Sequence, residues 1–352
     1  MATRRSFMTG LVAAGLVPRP TWADAGRPAY VSAAMKRDGR YVLCGLNKTG
    51  SITFEIPLPD RGHAAAVHPS RPEAVAFARR PGTYAMVLDC RTGRNNVRLV
   101  APDGRHFFGH GTFSGDGALL FTTENDYDAA AGVVGVWDAR NQYTRIGEFS
   151  SGGVGPHDVK LMPDGQTLVV ANGGIETHPE TGRTKLNLPT MRSNLSYLTL
   201  DGTVVDQMHL PAEHQRNSIR HLAVSETGDV AFAMQWQGDL GVDLPLLGVH
   251  NRLAGRVDLL SDASVRKMRG YLGSVALLQG NIRIVVTSPR SGVLQAFGAD
   301  GQVTEKALTD VCGVAAADHG FVVTTGTGLV RASNDAIIHH PLAWDNHLVR
   351  IL

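Results

Sequence analysis

"FFGHGTFSGDGALLFTTEND" (residues 107–126) and "VGPHDVKLMPDGQTLVVANGG" (residues 154–174) share one local plan. A histidine opens a short apolar run, a turn follows, and a second apolar run ends in polar residues. His110 and His157 are 47 residues apart, and His63, in "RGHAAAVHPSRPEAVAFARRPG" (residues 61–82), precedes His110 by the same interval. Self-similarity at a fixed period marks a repeat architecture.

Aligned on the histidine, the pattern continues in "HLAVSETGDVAFAMQWQG" from His221, "GSVALLQGNIRIVVTSPRSG" from Gly273 and "CGVAAADHGFVVTTGTG" from Cys312. Two further strand-like runs complete each unit, as "GVVGVWDA" (132–139) and "TRIGEFS" (144–150) do after His110. Four short antiparallel strands in roughly 40–50 residues describe a propeller blade. The ends of the chain supply a seventh. "AYVSAAM", "RYVLCGL" and "SITFEIPL" (residues 29–58) lack an inner strand, and "WDNHLVRIL" (344–352) offers one with its own His347. The prediction is an all-β, seven-bladed β-propeller closed by N- and C-terminal strands, a single domain over residues 26–352. Closure of this kind removes the free sheet edge that invites aggregation.

The bulk numbers agree with that fold and narrow the function. Of 352 residues, 43% are hydrophobic, 19% are charged and 40 are glycine, which suits many short strands joined by tight turns. A formal net charge of +2 gives no electrostatic case for nucleic acid. No apolar run reaches the roughly 20 residues of a membrane-spanning helix. "TRRSFMTGLVAAGLV" (3–17) puts paired arginines ahead of an apolar stretch, and Ala23 and Ala25 suit cleavage. Residues 1–25 therefore read as a Tat signal peptide, with the mature protein periplasmic. Such substrates cross the membrane folded, often carrying a cofactor. Cys44, Cys90 and Cys312 form no CxxC pair, and their apolar settings favour buried free thiols.

In a propeller the inner strands line a central channel. His63, His110, His157, His221 and His347 stand near the start of those strands, with Ser274 and Cys312 in the matching places of the other two blades. Two readings stay open. Gly109–His110 followed by Val136–Trp137–Asp138 resembles the WD-repeat pattern, in which the histidine is bonded within its own blade. Alternatively the imidazoles converge on a metal; a set of neutral nitrogen donors suits iron, copper or zinc far better than calcium or magnesium. Hydrolytic zinc patterns such as HExxH are absent from the sequence.

Loops between the second and third strands of each blade should emerge beside the histidines. They carry Arg79 and Arg80; Glu124, Asn125 and Asp126; Asn172 and His178; Gln235, Trp236 and Gln237; and Pro289 and Arg290. Arg220, directly before His221, is a candidate anion clamp. With Cys312, these residues make up the expected binding face. The stretch "NGGIETHPETGRTKLNLPTMRSN" (172–194) is long enough to be a lid or a docking element. No GxSxG elbow surrounds a serine, and no glycine-rich loop opens a helix.

The motifs "RRSFM", "RHFFGHGTFS", "TTEND", "GPHDVKLMPDG", "VANGGIETHP", "SIRHLAV", "TSPR", "DVCGV" and "WDNHL" together resemble the uncharacterised domain-of-unknown-function family 1513. The resemblance spans the mature chain. It implies a Tat-exported, propeller-like periplasmic protein, many of whose relatives are encoded beside iron-uptake and di-haem redox proteins. It supplies no catalytic residue. The function expected first is therefore a propeller that binds iron or copper, or a metal-bearing partner such as a periplasmic iron-uptake or redox protein, on its histidine face. A propeller enzyme, an oxidoreductase or lactonase-like hydrolase using Glu124, Asp126 or the histidines, is one alternative. A protein-interaction scaffold without metal is the other.

Overall fold

Runs with no polar interruption are the ones buried on both sides. Thr167–Asn172 is buried along its whole length, whereas Thr144–Ser150 is largely exposed. The first kind becomes the second strand of a blade, pressed between neighbouring sheets; the second becomes the outermost strand, with one face in water. The computed structural model describes residues 19–79, 82–260, 265–278 and 282–351. Residues 1–18, most of the expected export signal, and Arg80 lie outside the described residues.

Seven antiparallel sheets follow one another along the chain. Blade 1 joins Tyr30–Lys36, Tyr41–Leu46 and Ile52–Leu58 to Leu342–Trp344 and Val349–Arg350 from the far end. Blades 2 to 7 start from the inner strands Gly62–Val67, Arg105–Phe113, Pro156–Leu161, Asn217–Val224, Ser274–Leu277 and Val311–Ala316. Each adds three more strands outward in sequence order. The seven-bladed propeller and its closure by both ends are as the sequence predicted: Ala34 pairs with Trp344, and Val31 with Val349.

Apolar clusters fill the seams between blades. Phe77, Phe107, Leu120 and Trp137 pack blade 2 on blade 3, and Tyr30, Val42, Val322 and Trp344 pack blade 7 on blade 1. Truncating one of the fully buried aromatics, Phe107 for example, should cost about 3–5 kcal/mol. Trp22–Ala25, within the expected signal, forms a 3-10 turn on the seam of blades 1 and 2. Trp22 is buried there and its Nε1 donates to the His68 carbonyl at 2.9 Å.

The inner strands are not regular. Pairing with the second strand slips across His63 and Ala64 in blade 2, across Phe108–His110 in blade 3, at His157 in blade 4 and beside His221 in blade 5. In blade 1 the inner edge breaks between Trp344 and Val349, the interval that holds His347. A bulge leaves a residue unpaired, bends the strand and re-aims the side chain. Gly109 shows the local requirement: its φ is +98°, and a Cβ there would lie 2.6 Å from the His63 ring.

Candidate metal centre in the channel

Each of those breaks delivers one imidazole to the propeller axis. The rings of His63, His110, His157, His221 and His347 form one group, with centroid separations from 4.4 Å for His63 and His347 to 5.8 Å for His110 and His221. The pairs His110–His157 and His157–His221 are 5.0 and 4.9 Å apart. The within-blade reading suggested by the Gly-His pattern fails for these five: His63, His110, His157 and His347 find polar partners in other blades, and His221 meets the rings of His110, His157 and His347. Histidines turned to a seam between blades exist at other places. His68 reaches the Gly117 carbonyl at 3.1 Å, and His250 meets the Tyr197 hydroxyl at 2.7 Å.

The electrostatics favour neutral rings at His63, His157, His221 and His347. Burial, reinforced by neighbouring imidazoles, pushes His63 down to about 4 and holds His157, His221 and His347 well below the ordinary histidine value. Neutral imidazole is the form that presents a lone pair. His110 Nε2 and His221 Nδ1 are buried with no hydrogen-bond partner among the described residues. Orphaned buried polar atoms are rare in folded proteins and call for an explanation. The Nε2 atoms of His63 and His347 are 3.3 Å apart, about the spacing of two ligands each roughly 2.0–2.1 Å from one tetrahedral ion. Two sets, His63–His110–His347 and His110–His157–His221, hold their donor atoms within 4.8 Å of one another.

Carboxylates steady this group from behind. His110 Nδ1 is 3.1 Å from Asp158 Oδ1, and His63 Nδ1 is 3.6 Å from Asp345 Oδ1. Asp345 also meets Arg61 at 2.7 Å. Arg220 Nη1 lies 3.2 Å from His157 Nδ1. A ring nitrogen turned to a carboxylate fixes which nitrogen faces the metal.

The cluster stands across the channel between two cavities. His63, His157 and His221 border one of about 320 Å³. His110, His221 and His347, with Asp158 and Lys160, border a wider one of about 620 Å³.

Of the residues expected on the binding face, Arg220, Gln235 and Arg290 line the smaller cavity, with Arg79, Trp236 and Gln237. The others sit elsewhere. Glu124 is fully buried within blade 3 and takes both guanidinium nitrogens of Arg145 at 2.7 and 2.9 Å. Asn125 donates to the Thr177 carbonyl at 3.1 Å, tying down the long loop. Asp126 pairs with Arg105 at 3.3 Å. Asn172 bonds Ser151 and Ser196 behind the channel. His178 accepts from the Glu180 N–H as the cap of a short turn and packs on Tyr127. Cys312 lies in a side cavity with Arg61, Asp310 and Asp345, away from the five rings. The strand Leu119–Asp126 runs on through Asp126, which is why Glu124 and Asn125 belong to a sheet and not to a loop.

Sequence reasoning missed Asp345, Arg61, Arg183, Lys185 and Tyr271. Asp345 alone had a signal, since it stands two residues before His347 in the strand read as an inner one.

Solved structures with the same architecture include Kuenenia stuttgartiensis hydrazine synthase, at 13% identity and a TM-score of 0.62, covering 89% of this chain and 95% of that one. Streptogramin B lyase matches at 14% identity and a TM-score of 0.57, covering 85% and 91%. A functionally unknown protein from Desulfotomaculum acetoxidans DSM 771 matches at 14% and 0.50, covering 84% and 89%. Identities this low establish the shared fold alone. No curated protein matches the chain. A family model, Protein of unknown function (DUF1513), matches residues 56–351. The chain belongs to that family.

Proposed function

We propose that this propeller binds a first-row transition ion, iron or copper, on the histidines of its channel. The observation that carries the reading is the meeting of five buried or half-buried imidazoles from five blades, two of them, His110 and His221, with buried ring nitrogens that lack hydrogen-bond partners. An all-nitrogen donor set suits iron, copper or zinc and is poor for calcium or magnesium. His110 belongs to both possible ligand sets, so its Nε2 is the donor on which either depends. Asp158 accepts from the opposite nitrogen of that ring and so leaves its Nε2 lone pair free, whereas Arg220 donates to Nδ1 of His157 and holds the neutral ring with its proton on Nε2. When bound, the ion would supply Lewis acidity or an electron-transfer site. The chain's own residues orient the donors and exclude bulk water from them.

Paired arginines at Arg4 and Arg5 support export of the folded protein by the Tat route into the periplasm. There the metal site would serve iron acquisition or redox chemistry alongside a metal-bearing partner.

The test is metal analysis of protein purified from its native host. About one equivalent is expected, lost in His110→Ala/His157→Ala while the circular dichroism spectrum stays unchanged. Wild-type protein free of metal, or a double variant that keeps it, defeats the reading.

A further inference from the structure

The smaller cavity has an unusual wall. Arg79 from blade 2, Arg183 and Lys185 from the long loop of blade 4, Arg220 from blade 5 and Arg290 from blade 6 all line it. No carboxylate lines it among the described residues. Five cations drawn from four blades therefore face about 320 Å³, with His63, His157 and His221 as the floor. Arg79 Nη1 is buried without a hydrogen bond and makes only a long ion pair, 3.7 Å from an Asp345 oxygen that also meets Arg61 at 2.7 Å. Arg290 rests on the Tyr271 ring at 4.2 Å, which fixes the direction of its guanidinium. Phe108, Trp236 and the amides of Gln235, Gln237 and Asn346 complete the surface.

Like charges converging on one concave site repel one another unless an anion joins them. Guanidinium groups bind planar oxyanions with two parallel hydrogen bonds, and the field in a recessed cavity is screened less than at an open surface. Aromatic and amide walls add room for a carbon skeleton with polar substituents. The geometry points to a small organic polyanion, carrying two or more carboxylate or phosphate groups, as the ligand of this cavity. The inference extends the metal reading, since one oxyanion group would lie over the imidazoles that floor the cavity. Its charge logic nevertheless holds with or without an ion.

Calorimetric titration of the metal-free, folded protein with tricarballylate, pyrophosphate and uncharged glycerol tests it. Saturable binding of an anion at one site is expected, with glycerol silent and affinity falling as chloride is raised. Arg183→Gln/Lys185→Gln/Arg290→Gln changes only exposed side chains and should weaken the anion at least tenfold. Arg79→Gln supplies a second, half-buried position and should weaken it also. Preference between the two anions identifies carboxylate or phosphate as the natural group. Silence with both anions, or equal affinity in the triple variant, overturns the proposal. Because the titration uses metal-free protein, absence of metal in host-purified material defeats the metal reading without deciding this one.

Discussion

His110 Nδ1 and Asp158 Oδ1 meet at 3.1 Å, both side chains buried and drawn from neighbouring blades. The second oxygen of Asp158 accepts the Leu222 N–H of blade 5 at 3.0 Å, so one carboxylate links three blades behind the channel. Burial alone would push this carboxyl up. Lys160 and His110 outweigh burial and hold it below the usual carboxylate range.

That link makes Asp158 a positioning residue. Asp158→Asn should keep the fold and lower metal affinity about 10–100-fold, because the amide releases the orientation of His110. Competition with a chromophoric chelator reads the change, and rescue by Asp158→Glu would separate orientation from lost stability. Wild-type affinity in the asparagine variant contradicts the role.

Glu124 looked like a candidate acid–base group, yet it serves the scaffold. Glu124→Gln should lower stability by about 3 kcal/mol, by leaving Arg145 without its buried partner. Bound metal should be unaltered. Urea unfolding measures the first quantity and elemental analysis the second; loss of metal in folded protein would return Glu124 to the site.

A pH effect follows from His68. Its Nδ1 accepts N–H groups of Ser70 and Arg71 at 3.1 and 3.0 Å, which requires the neutral ring with the proton on Nε2. Burial, then Arg71, pushes this histidine down to about 4 from an unfolded value of 6.5. The folded state therefore binds fewer protons, and its advantage is complete above pH 6.5. Stability is lost as pH falls from 6.5 towards 4 and levels off below. His68→Gln should flatten part of that slope, measured by denaturant unfolding of metal-free protein across the window. An identical slope would contradict the assignment.

The thiols should be inert. Cys44, Cys90 and Cys312 are all buried and unpaired with one another. Burial pushes Cys90 up to about 12 and the other two higher still, so none is a thiolate at neutral pH. A thiol-disulfide dye should find almost no reactive groups in native protein and three after unfolding. Rapid native reaction would place one of them at the surface.

The propeller was legible because each blade repeats one apolar pattern, and its ring histidines because each inner strand offers the same position. Gly109 misled, since Gly-His before an inner strand suggested a ring bonded within its own blade, while the Gly109 φ of +98° turns His110 out of the regular ladder. Other histidines carried no signal. His68 lies just beyond an inner strand and His250 within a third strand, and nothing in sequence distinguishes rings turned to the axis from rings turned to a seam. Strand ends misled in the same way: polar residues at 124–126 and at Asn172 suggested loops, while the ladder runs through them. Arg183 and Lys185 reach the cavity through a loop conformation held by contacts such as Asn187 with Gly174, which no spacing rule encodes.

The fifth imidazole arrives on the same segment that shuts the ring. His347 sits between the strands that pair with Ala34 and Val31, and Ser32 Oγ donates to its carbonyl at 2.7 Å. A growing chain that has made six sheets still lacks a nitrogen from the set containing His63 and His347. On the proposed metal reading, loading of that set would therefore come after circularisation, as a late event in maturation. Retained metal would then report that the chain had closed before it was delivered.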